Sequence, residues 1–523
     1  MHLRTILRNI LSTWVGYVVT LLVGFLLAPF VVHHLGNTGY GVWTLVSSLT
    51  GYFGILDLGL RQSVGRFVAR HMALKDDDNV NRTVSNALAM LGLAGVLGFL
   101  AAVAANFSFG IFHVQGHFQI DARIALLISG VYLAIALPMS VFNAILFSLE
   151  RFDIVTGITV LGALTRATFV VLALSHGHGL ISLALVTLCV GSAEYLSAAL
   201  CAKRLYPRLQ PRRQYIAFDK CKELFNFGIY RFMWIVANQL IFYTDSLVIG
   251  IFLNAASVTF YVIAGSLINY GRNVVSLAAD TFYPAATRLD AKQDTAGLQD
   301  LLILGTRIAM TVGLPLCLGF LFIGKQFIVL WMGPAYAISA VYLNVLTIAQ
   351  FTSMPQYISA LILVGMAKHK ILAYVTLAEG VTNLLLSVLL VRRIGLIGVA
   401  WGTVIPHIIS TAIIIPLYTL SILKMTWSDY VVRGFLRPVA AAIPAAGLCY
   451  TFSTLVVKPS WFVFGFEVLA VGAASALMSY YVCLSREQRL LVVERLRERG
   501  QKTVTTQTDA TKESSTAPAV SNQ

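Results

Sequence analysis

The chain of 523 residues carries little charge, because Asp, Glu, Lys and Arg together make up only 12% of it. Soluble domains contain roughly 25% charged residues. Hydrophobic residues reach 58% here, and no stretch before residue 485 is polar enough to enclose a soluble domain. With a mean hydropathy of +0.78, most of the chain is predicted to lie in lipid. The lack of charge excludes a soluble enzyme and a soluble nucleic-acid binder.

Cysteine is also scarce, with six residues in the whole chain. They lie inside or beside apolar runs, and none pairs with another at the spacing of a metal site. We therefore interpret them as small buried hydrophobic residues. A secreted scaffold stabilised by disulfides is excluded, and no metal centre is predicted from cysteine.

Long apolar runs are what the sequence has in abundance. A transmembrane helix needs about 20 mostly apolar residues, and this measure gives about 14 candidates. They cover approximately residues 10–33, 40–60, 84–106, 122–148, 154–175, 180–202, 226–252, 257–282, 301–323, 337–364, 371–391, 395–418, 435–457 and 461–484. The predicted fold is an all-α polytopic membrane protein with about 14 transmembrane helices.

The net charge of +15 is distributed unevenly between the two sides of the predicted membrane protein. Of the 38 Lys and Arg residues, 29 fall in loops on the side of the N-terminus and four in loops on the other side. Positively charged loops remain in the cytoplasm. Both termini are therefore predicted to be cytoplasmic, and the charge needs no nucleic acid to explain it.

Changes in hydropathy and charge divide the chain into five predicted parts. These are an N-terminal six-helix lobe (1–202), a basic cytoplasmic linker (203–225), a C-terminal six-helix lobe (226–418), two additional transmembrane helices (435–484) and a cytoplasmic tail (485–523). The tail is predicted to begin with a basic helix and to end in a disordered segment. The loops on the non-cytoplasmic side are about 20 residues or shorter, which disfavours a membrane polymerase or glycosyltransferase.

Polar residues recur on one face of the seventh and eighth predicted spans. Arg231, Asn238 and Asp245 are seven residues apart and therefore lie along one stripe of a helix. The eighth span carries a similar polar face: Asn269, Arg272, Asn273, Ser276 and Asp280. Ionisable groups inside a membrane cost several kcal/mol unless they are paired or face water. The pattern predicts a water-filled cavity lined by Arg, with internal Arg–Asp pairing as the alternative.

Two further sets of ionisable residues lie within predicted spans. Glu379 and Asn383 are one turn apart on the eleventh span, and with Asp245 they would supply the oxygen ligands that a small cation prefers. This spacing predicts a cation or proton site, with a buried hydrogen-bonded pair as the alternative. Arg166 and Glu194 lie at similar depths on adjacent spans, which predicts a salt bridge, or else an Arg166 that faces the substrate.

Three stretches of the sequence resemble a known family of transporters. They are LGNTGYGVW (35–43), GYFGILDLGLRQSVGRFVAR (51–70) and YTDSLVIGIFLNAASVTFYVIAGSL (243–267). They are similar to the polysaccharide transporter family (Wzx-type flippases) of the multidrug/oligosaccharidyl-lipid/polysaccharide exporter superfamily, and the likeness in hydropathy and spacing covers about residues 5–485.

The resemblance implies two six-helix lobes that form a V around a central cavity, with two added helices. It implies a non-enzymatic flippase in the bacterial plasma (inner) membrane that works by alternating access. Such a protein moves undecaprenyl-diphosphate-linked oligosaccharides from the cytoplasmic to the periplasmic leaflet, for O-antigen, capsule or exopolysaccharide. A polysaccharide polymerase and the chain-length machinery are the expected partners.

For the substrate, Arg231 and Arg272, with Arg166 from the other lobe, are expected to hold the pyrophosphate. Asn238 and Asn269 are expected to meet sugar hydroxyls.

The resemblance also bears on coupling and on the alternative function. In the related lipid II flippases, a sodium site uses an Asp of the seventh helix and two residues one turn apart on the eleventh. Asp245, Glu379 and Asn383 resemble that pattern, with the amide and the carboxylate in reverse order. Coupling to Na⁺ or H⁺ is therefore expected, with no other cofactor. A cation-coupled multidrug or metabolite antiporter on the same fold is the alternative function.

Overall fold

The computed structural model describes residues 3–114, 116–456, 458–483 and 489. Within these residues the chain forms helices and turns and contains no β-strand. The helices are α1 (Leu3–Phe53), α2 (Leu60–Ala73), α3 (Asp77–Phe107), α4 (His117–Ser148), α5 (Phe152–Ser175), α6 (Leu180–Leu205), α7 (Phe218–Phe252), α8 (Ala255–Asp280), α9 (Tyr283–Ala291), α10 (Thr295–Phe322), α11 (Gly324–Met332), α12 (Ser339–Gly365), α13 (Lys370–Ile394), α14 (Leu396–Ile408), α15 (Ile415–Leu423), α16 (Trp427–Gly434), α17 (Leu436–Leu455) and α18 (Trp461–Val482). The predicted all-α fold is confirmed. The predicted tail lies outside the described residues, apart from Arg489.

Within the described residues, 11 helices are long and apolar enough to cross a membrane. One of them, α1, contains two predicted spans, because Gly36 has φ 69° and interrupts the helix there. Polar residues lower the hydropathy of α8 and α12, which are not among the 11. Counting both halves of α1 and adding α8 and α12 agrees with the predicted number of about 14 spans.

The connections between helices fall on two faces of the molecule. We call the face that carries the short helices α2, α9 and α16 the basic face, because most Lys and Arg residues lie there. The opposite face carries the interruption of α1 at Gly36 and the turn at Gly395, which both have positive φ. The alternation of spans that the charge pattern predicts is therefore present in the helix order.

Three hydrophobic cores show how the lobes meet. At the basic face, one core joins α2, α3, α4 and α6, and another joins α8, α9, α10 and α12. Toward the opposite face, a single core takes residues from both lobes, among them Leu45 of α1, Leu126 of α4, Ile263 of α8 and Val399 of α14. Burial of apolar surface is non-directional, so a shared core holds its elements together. The lobes are joined at the opposite face and have separate cores at the basic face.

The last two helices are attached to the second lobe. Ala445 and Cys449 of α17 and Val471 of α18 form a small core with Leu318 and Phe322 of α10. The predicted pair of additional helices therefore packs against α10.

The connection between the lobes is fastened to the first lobe. We call residues 206–217 the strap. Three side chains of α3, Asn81, Ser85 and Asn86, bond to its backbone at 2.7–3.0 Å. The Tyr206 hydroxyl donates to Asp77, and burial together with this hydrogen bond raises the pKa of Tyr206 to about 12. Five backbone groups of the strap thus find partners on α3, which helps to give this polar segment a defined path.

Candidate functional site

A cavity of about 390 Å³ lies between the lobes and is lined by residues 40–48 of α1 and by α7, α8, α12 and α14. Its wall includes five aromatic side chains: Tyr40, Trp43, Phe242, Tyr243 and Tyr261. Three of the residues predicted to line a cavity, Asp245, Asn269 and Arg272, are in this wall. The polar faces predicted for α7 and α8 therefore meet at one place.

Arg272 supplies the positive charge of the cavity. Its Nη2 donates to Asn269 Oδ1 at 2.7 Å, one turn earlier on α8, and its guanidinium lies 4.2 Å from the centre of the Phe242 ring. The salt bridges formed by the described residues do not include Arg272. Its charge is held in place by a neutral amide and an aromatic face. It is therefore available to an anion in the cavity.

Asp245 connects three helices at the cavity wall. The residue is 6% exposed, and its Oδ2 accepts hydrogen bonds from the Tyr261 hydroxyl at 2.6 Å and from Thr403 Oγ1 at 2.7 Å. Its Oδ1 is buried and has no hydrogen-bond partner among the described residues. A buried acceptor without a partner is costly, so this oxygen is the one that a proton or a cation would meet.

Glu379 lies behind the cavity wall. Its Oε1 is 2.7 Å from His407 Nδ1 on α14, and its Oε2 accepts a hydrogen bond from Ser410. His407 is in the cavity wall. Asn383 is buried one turn along α13, and its Oδ1 accepts from Ser387 at 3.0 Å.

The predicted coupling residues fall into separate hydrogen-bonded clusters. The two oxygens of Glu379 contact His407 of α14 and Ser410 just after its end, whereas Asp245 bonds to Tyr261 and Thr403. Within the part of the chain that the structure describes, no three His, Cys, Asp or Glu side chains are arranged to hold a metal ion. Each oxygen of Glu379 accepts one hydrogen bond, which leaves further lone pairs on both. A cation site formed by Asp245, Glu379 and Asn383 stays a prediction.

The remaining predicted site residues are not in this cavity. Arg166 on α5 donates from Nη2 to Glu194 Oε1 on α6 at 3.0 Å, which is the predicted salt bridge. Its charge is engaged by Glu194, so the structure does not place it in the substrate site predicted for it. Asn238 lies on α7 about two turns before Asp245 and outside the cavity wall. The side chains of Arg231 and Asp280 lie outside what the structure describes.

Sequence reasoning missed four polar residues that contact the predicted carboxylates: Tyr261, Thr403, His407 and Ser410. A signal for His407 existed. The helices α13 and α14 form a hairpin at Gly395, and counting outward from that turn places Thr411 opposite Glu379, one turn from His407.

The cavity is closed toward the opposite face by contacts between the lobes. Thr259 Oγ1 of α8 donates to the Asn37 carbonyl of α1 at 2.7 Å, and the Tyr336 hydroxyl donates to Asn37 Oδ1 at 2.6 Å. Gly41 packs against the Ala255 carbonyl so closely that a Cβ atom does not fit there. Access to the cavity from this face requires these contacts to break.

An apolar groove of about 420 Å³ lies on the other side of α8. It is enclosed by α1, α8, α10, α11 and α18, and Tyr270 is the one polar side chain in its described lining. On α8, Asn269 and Arg272 face the cavity, whereas Gly271 and Val274 face the groove. A single helix therefore separates a cationic chamber from an apolar one.

Solved structures of membrane transporters share this fold. The lipid II flippase MurJ in an inward closed conformation matches with a TM-score of 0.70 and 15% identity, over 91% of this chain and 98% of that one. An inward-facing multidrug resistance MATE family transporter of the MOP superfamily matches with a TM-score of 0.67 and 15% identity, over 77% of this chain and 94% of that one. The fold is that of the MATE and MurJ transporters.

Sequence comparison identifies the family within this class. The chain belongs to the polysaccharide biosynthesis protein family, whose model matches residues 6–290, more than half of its length. It is 25% identical to the membrane protein EpsK of Bacillus subtilis (strain 168) over 502 residues, which cover 94% of this chain and 98% of EpsK. It is 26% identical to a Shigella flexneri protein that carries the name O-antigen transporter, over 79% of this chain and 98% of the relative. The chain is thus a multi-pass membrane protein of a bacterial polysaccharide transporter family, and the family resemblance of its motifs is confirmed.

Proposed function

We propose that the protein is a flippase that moves undecaprenyl-diphosphate-linked oligosaccharides from the cytoplasmic to the periplasmic leaflet, and that it works by alternating access without catalysing a reaction. The observation that carries this proposal is Arg272, a cation without a salt-bridge partner among the described residues, in a cavity between two lobes. An Arg guanidinium binds phosphate oxygens through paired hydrogen bonds. The polar groups around it, Asn269 and Gln350 among them, suit sugar hydroxyls.

The direction of transport follows from the proposed orientation. The basic face is assigned to the cytoplasm of a bacterial plasma (inner) membrane, because loops rich in Lys and Arg remain there. Both chain termini then lie in the cytoplasm. The lobes have separate cores on this face and close the cavity at the opposite face, so the anionic head group enters from the cytoplasmic leaflet. Rocking of the lobes then breaks the contacts at Asn37 and opens the cavity outward.

The apolar groove offers a place for the lipid part of the substrate. A polyprenyl chain attached to a diphosphate near Arg272 has to leave the cavity between helices. The groove lies directly behind α8, and its lining is almost free of polar groups. Part of the chain would lie in the groove, where apolar surface is removed from water, while the rest stays in the bilayer.

Coupling and assembly complete the proposal. The buried Oδ1 of Asp245 is the proposed point of entry for Na⁺ or H⁺ that drives the return stroke. Arg231 is a proposed second contact for the diphosphate from α7. A polysaccharide polymerase and the chain-length machinery are proposed partners, because they would consume the flipped units.

The test is complementation of a host from which the gene has been deleted. The deletion is expected to accumulate lipid-linked oligosaccharide on the cytoplasmic leaflet and to lose surface polysaccharide. Hydrogen bonds to charged groups contribute about 1.5–3 kcal/mol, so Arg272→Ala should weaken head-group binding by about ten- to a hundredfold and fail to complement. Arg393→Ala is the matched control, because Arg393 is exposed at the end of α13, away from the cavity. Normal glycan export by Arg272→Ala, at wild-type protein level, would show that the cationic cavity does not bind the substrate.

A second candidate function is a cation-coupled multidrug or metabolite antiporter. The five aromatic side chains of the cavity and the Asp245 carboxylate favour it, since aromatic faces and a carboxylate attract organic cations. This function predicts that the deletion strain keeps its surface glycan and becomes sensitive to cationic drugs. Asp245→Asn would then reproduce the drug sensitivity, whereas Arg272→Ala would not.

A further inference from the structure

Three arginines lie together at the basic face of the second lobe, outside both the cavity and the apolar groove. Arg307 belongs to α10, Arg433 to the last turn of α16 and Arg437 to the first turn of α17. Arg307 Nε donates to the Arg433 carbonyl at 2.6 Å, and the charges of Arg433 and Arg437 lie close enough to Arg307 to repel its charge. We call these three residues the arginine cluster.

The fold forms the cluster by packing the end of α16 against α10. Gly434 is buried there, and a Cβ atom on it would stand only 3.3 Å from Thr306 Cγ2. The end of α18 reaches the same place, because Thr311 Oγ1 donates to Cys483 Sγ at 3.8 Å, one turn along α10 from Arg307. The arginine cluster therefore lies where α10, α16, α17 and α18 meet.

The positive charge of the cluster exceeds the negative charge that its neighbours supply. Arg433 Nη2 donates to Asp300 Oδ1 at 3.0 Å. Among the described residues, the salt bridges include neither Arg307 nor Arg437. Like charges that lie close together raise the energy of the folded state unless an anion lies between them. Two cations of the cluster are therefore available to an anion from outside the chain.

The surroundings of the cluster indicate that this anion belongs to the lipid. Leu304 and Ile308 lie three residues before and one residue after Arg307 on α10, and both are exposed. Val432 and Leu436, which each precede an arginine of the cluster, are exposed as well. Exposed apolar side chains next to Arg are typical of the level where a transmembrane helix passes from hydrocarbon into the head groups. The anion found at this level is the phosphate of a phospholipid.

We propose that the arginine cluster binds the phosphate of an anionic phospholipid, and that Arg307 and Arg437 contact its oxygens. A guanidinium group presents paired N–H donors that match two phosphate oxygens, and basic pockets between transmembrane helices bind anionic head groups. The acyl chains then lie along the exposed apolar residues Leu304 and Ile308. A lipid bound in this way connects α10 with α17 and stabilises the attachment of the additional helices to the second lobe. This role does not depend on the proposed function.

The experiment measures the binding of phosphatidylglycerol to the purified full-length protein in a mild detergent, by native mass spectrometry. Phosphatidylcholine is titrated in parallel, because its head group has no net charge. One charge-assisted hydrogen bond corresponds to about tenfold in affinity, so the wild-type protein should bind phosphatidylglycerol about tenfold more tightly than phosphatidylcholine. The third probe is glycerophosphoglycerol, the same head group without acyl chains, which should bind more weakly than the lipid.

The variants assign that difference to the arginine cluster. Arg437→Gln should weaken the binding of phosphatidylglycerol by about tenfold and should abolish the rise in unfolding temperature that this lipid causes in the wild-type protein. Arg307→Gln should weaken binding similarly, whereas Arg307→Lys keeps the charge and should retain most of the affinity. Arg204→Gln is the matched control, because Arg204 is an exposed arginine at the end of α6 in the other lobe.

Four outcomes would overturn the inference, and none of them affects the flippase proposal, whose test uses Arg272. Equal affinity of the wild-type protein for the two phospholipids shows that charge is not recognised. An equal loss of affinity in Arg204→Gln and Arg437→Gln shows that the whole basic face attracts anionic lipid. Binding of glycerophosphoglycerol as tight as that of the lipid makes the cluster a site for a soluble phosphate. Displacement of phosphatidylglycerol by a prenyl diphosphate, at equal concentration, makes it a site for the transported substrate.

Discussion

Glu467 provides a test of the packing of the last two helices, because its environment predicts that the protein becomes more stable without it. The residue lies on α18 and is 1% exposed. Both of its carboxyl oxygens are buried without a hydrogen-bond partner among the described residues. A buried polar group in this situation costs about 1–3 kcal/mol. Glu467→Leu has a similar volume and removes both oxygens, so it should raise the free energy of unfolding by about 1–3 kcal/mol.

The assay is thermal and denaturant unfolding of the purified protein in one detergent, followed by tryptophan fluorescence. Glu194→Leu is the matched control, because it is the same substitution at a carboxylate that has a partner. Glu194 accepts a hydrogen bond from Arg166 at 3.0 Å, and its loss leaves that charge unpaired between α5 and α6. Glu194→Leu should therefore lower the unfolding temperature, while Glu467→Leu raises it. A decrease for Glu467→Leu would refute the reasoning, since it would mean that the carboxyl group makes a stabilising interaction.

Three further predictions concern the movement of the lobes. Thr259 Oγ1 donates to the Asn37 carbonyl at 2.7 Å, so cysteines at positions 37 and 259 should cross-link under oxidation and arrest glycan export until a reductant is added. Export that continues while the cross-link is intact would show that this face does not open. Gly41→Ala places a Cβ atom against a backbone carbonyl of α8 and should therefore reduce export. The control Gly65→Ala, which has open space around it, should not reduce export. Equal export by the two variants would show that the close approach of α1 and α8 is dispensable. Asn86→Ala removes two hydrogen bonds to the strap and should increase the rate of amide hydrogen exchange in residues 206–217. An unchanged exchange rate would show that α3 does not hold the strap.

Much of the fold was accessible to sequence reasoning, because the membrane imposes two strong patterns on the chain. Spans need long apolar runs, and the loops divide Lys and Arg unequally between the two sides. The stripe of polar residues on α8 predicted that Asn269 and Arg272 face a cavity, since a lipid-facing Arg is untenable, and both residues line the cavity between the lobes. The prediction of the Arg166–Glu194 salt bridge used only hairpin counting, and the structure contains that pair.

The connections inside the cavity were less accessible, because they join residues that are far apart in the sequence. Asp245 bonds to Thr403 across 158 positions, and no periodicity within α7 or α14 indicates that contact. His407 is one polar residue in an apolar run, so its own surroundings predict a buried core histidine. The hydrogen-bond partners of Asp245 and Glu379 were inaccessible for a related reason. The spacing along each helix predicts that both carboxylates face inward. It does not predict their hydrogen-bond partners on α14, which are Thr403 for Asp245 and His407 for Glu379.

The strap between the lobes has a mechanical consequence. Its residues connect the two halves covalently, yet its hydrogen bonds to Asn81, Ser85 and Asn86 make it move with the first half. The joint of the molecule therefore lies where the strap ends, at Ala217, whose extended backbone leads directly into α7. A spectroscopic label or a binding protein placed on the strap would report the motion of α1–α6 alone. Any movement of the second half relative to the first would therefore have its covalent pivot near Ala217, where the strap ends.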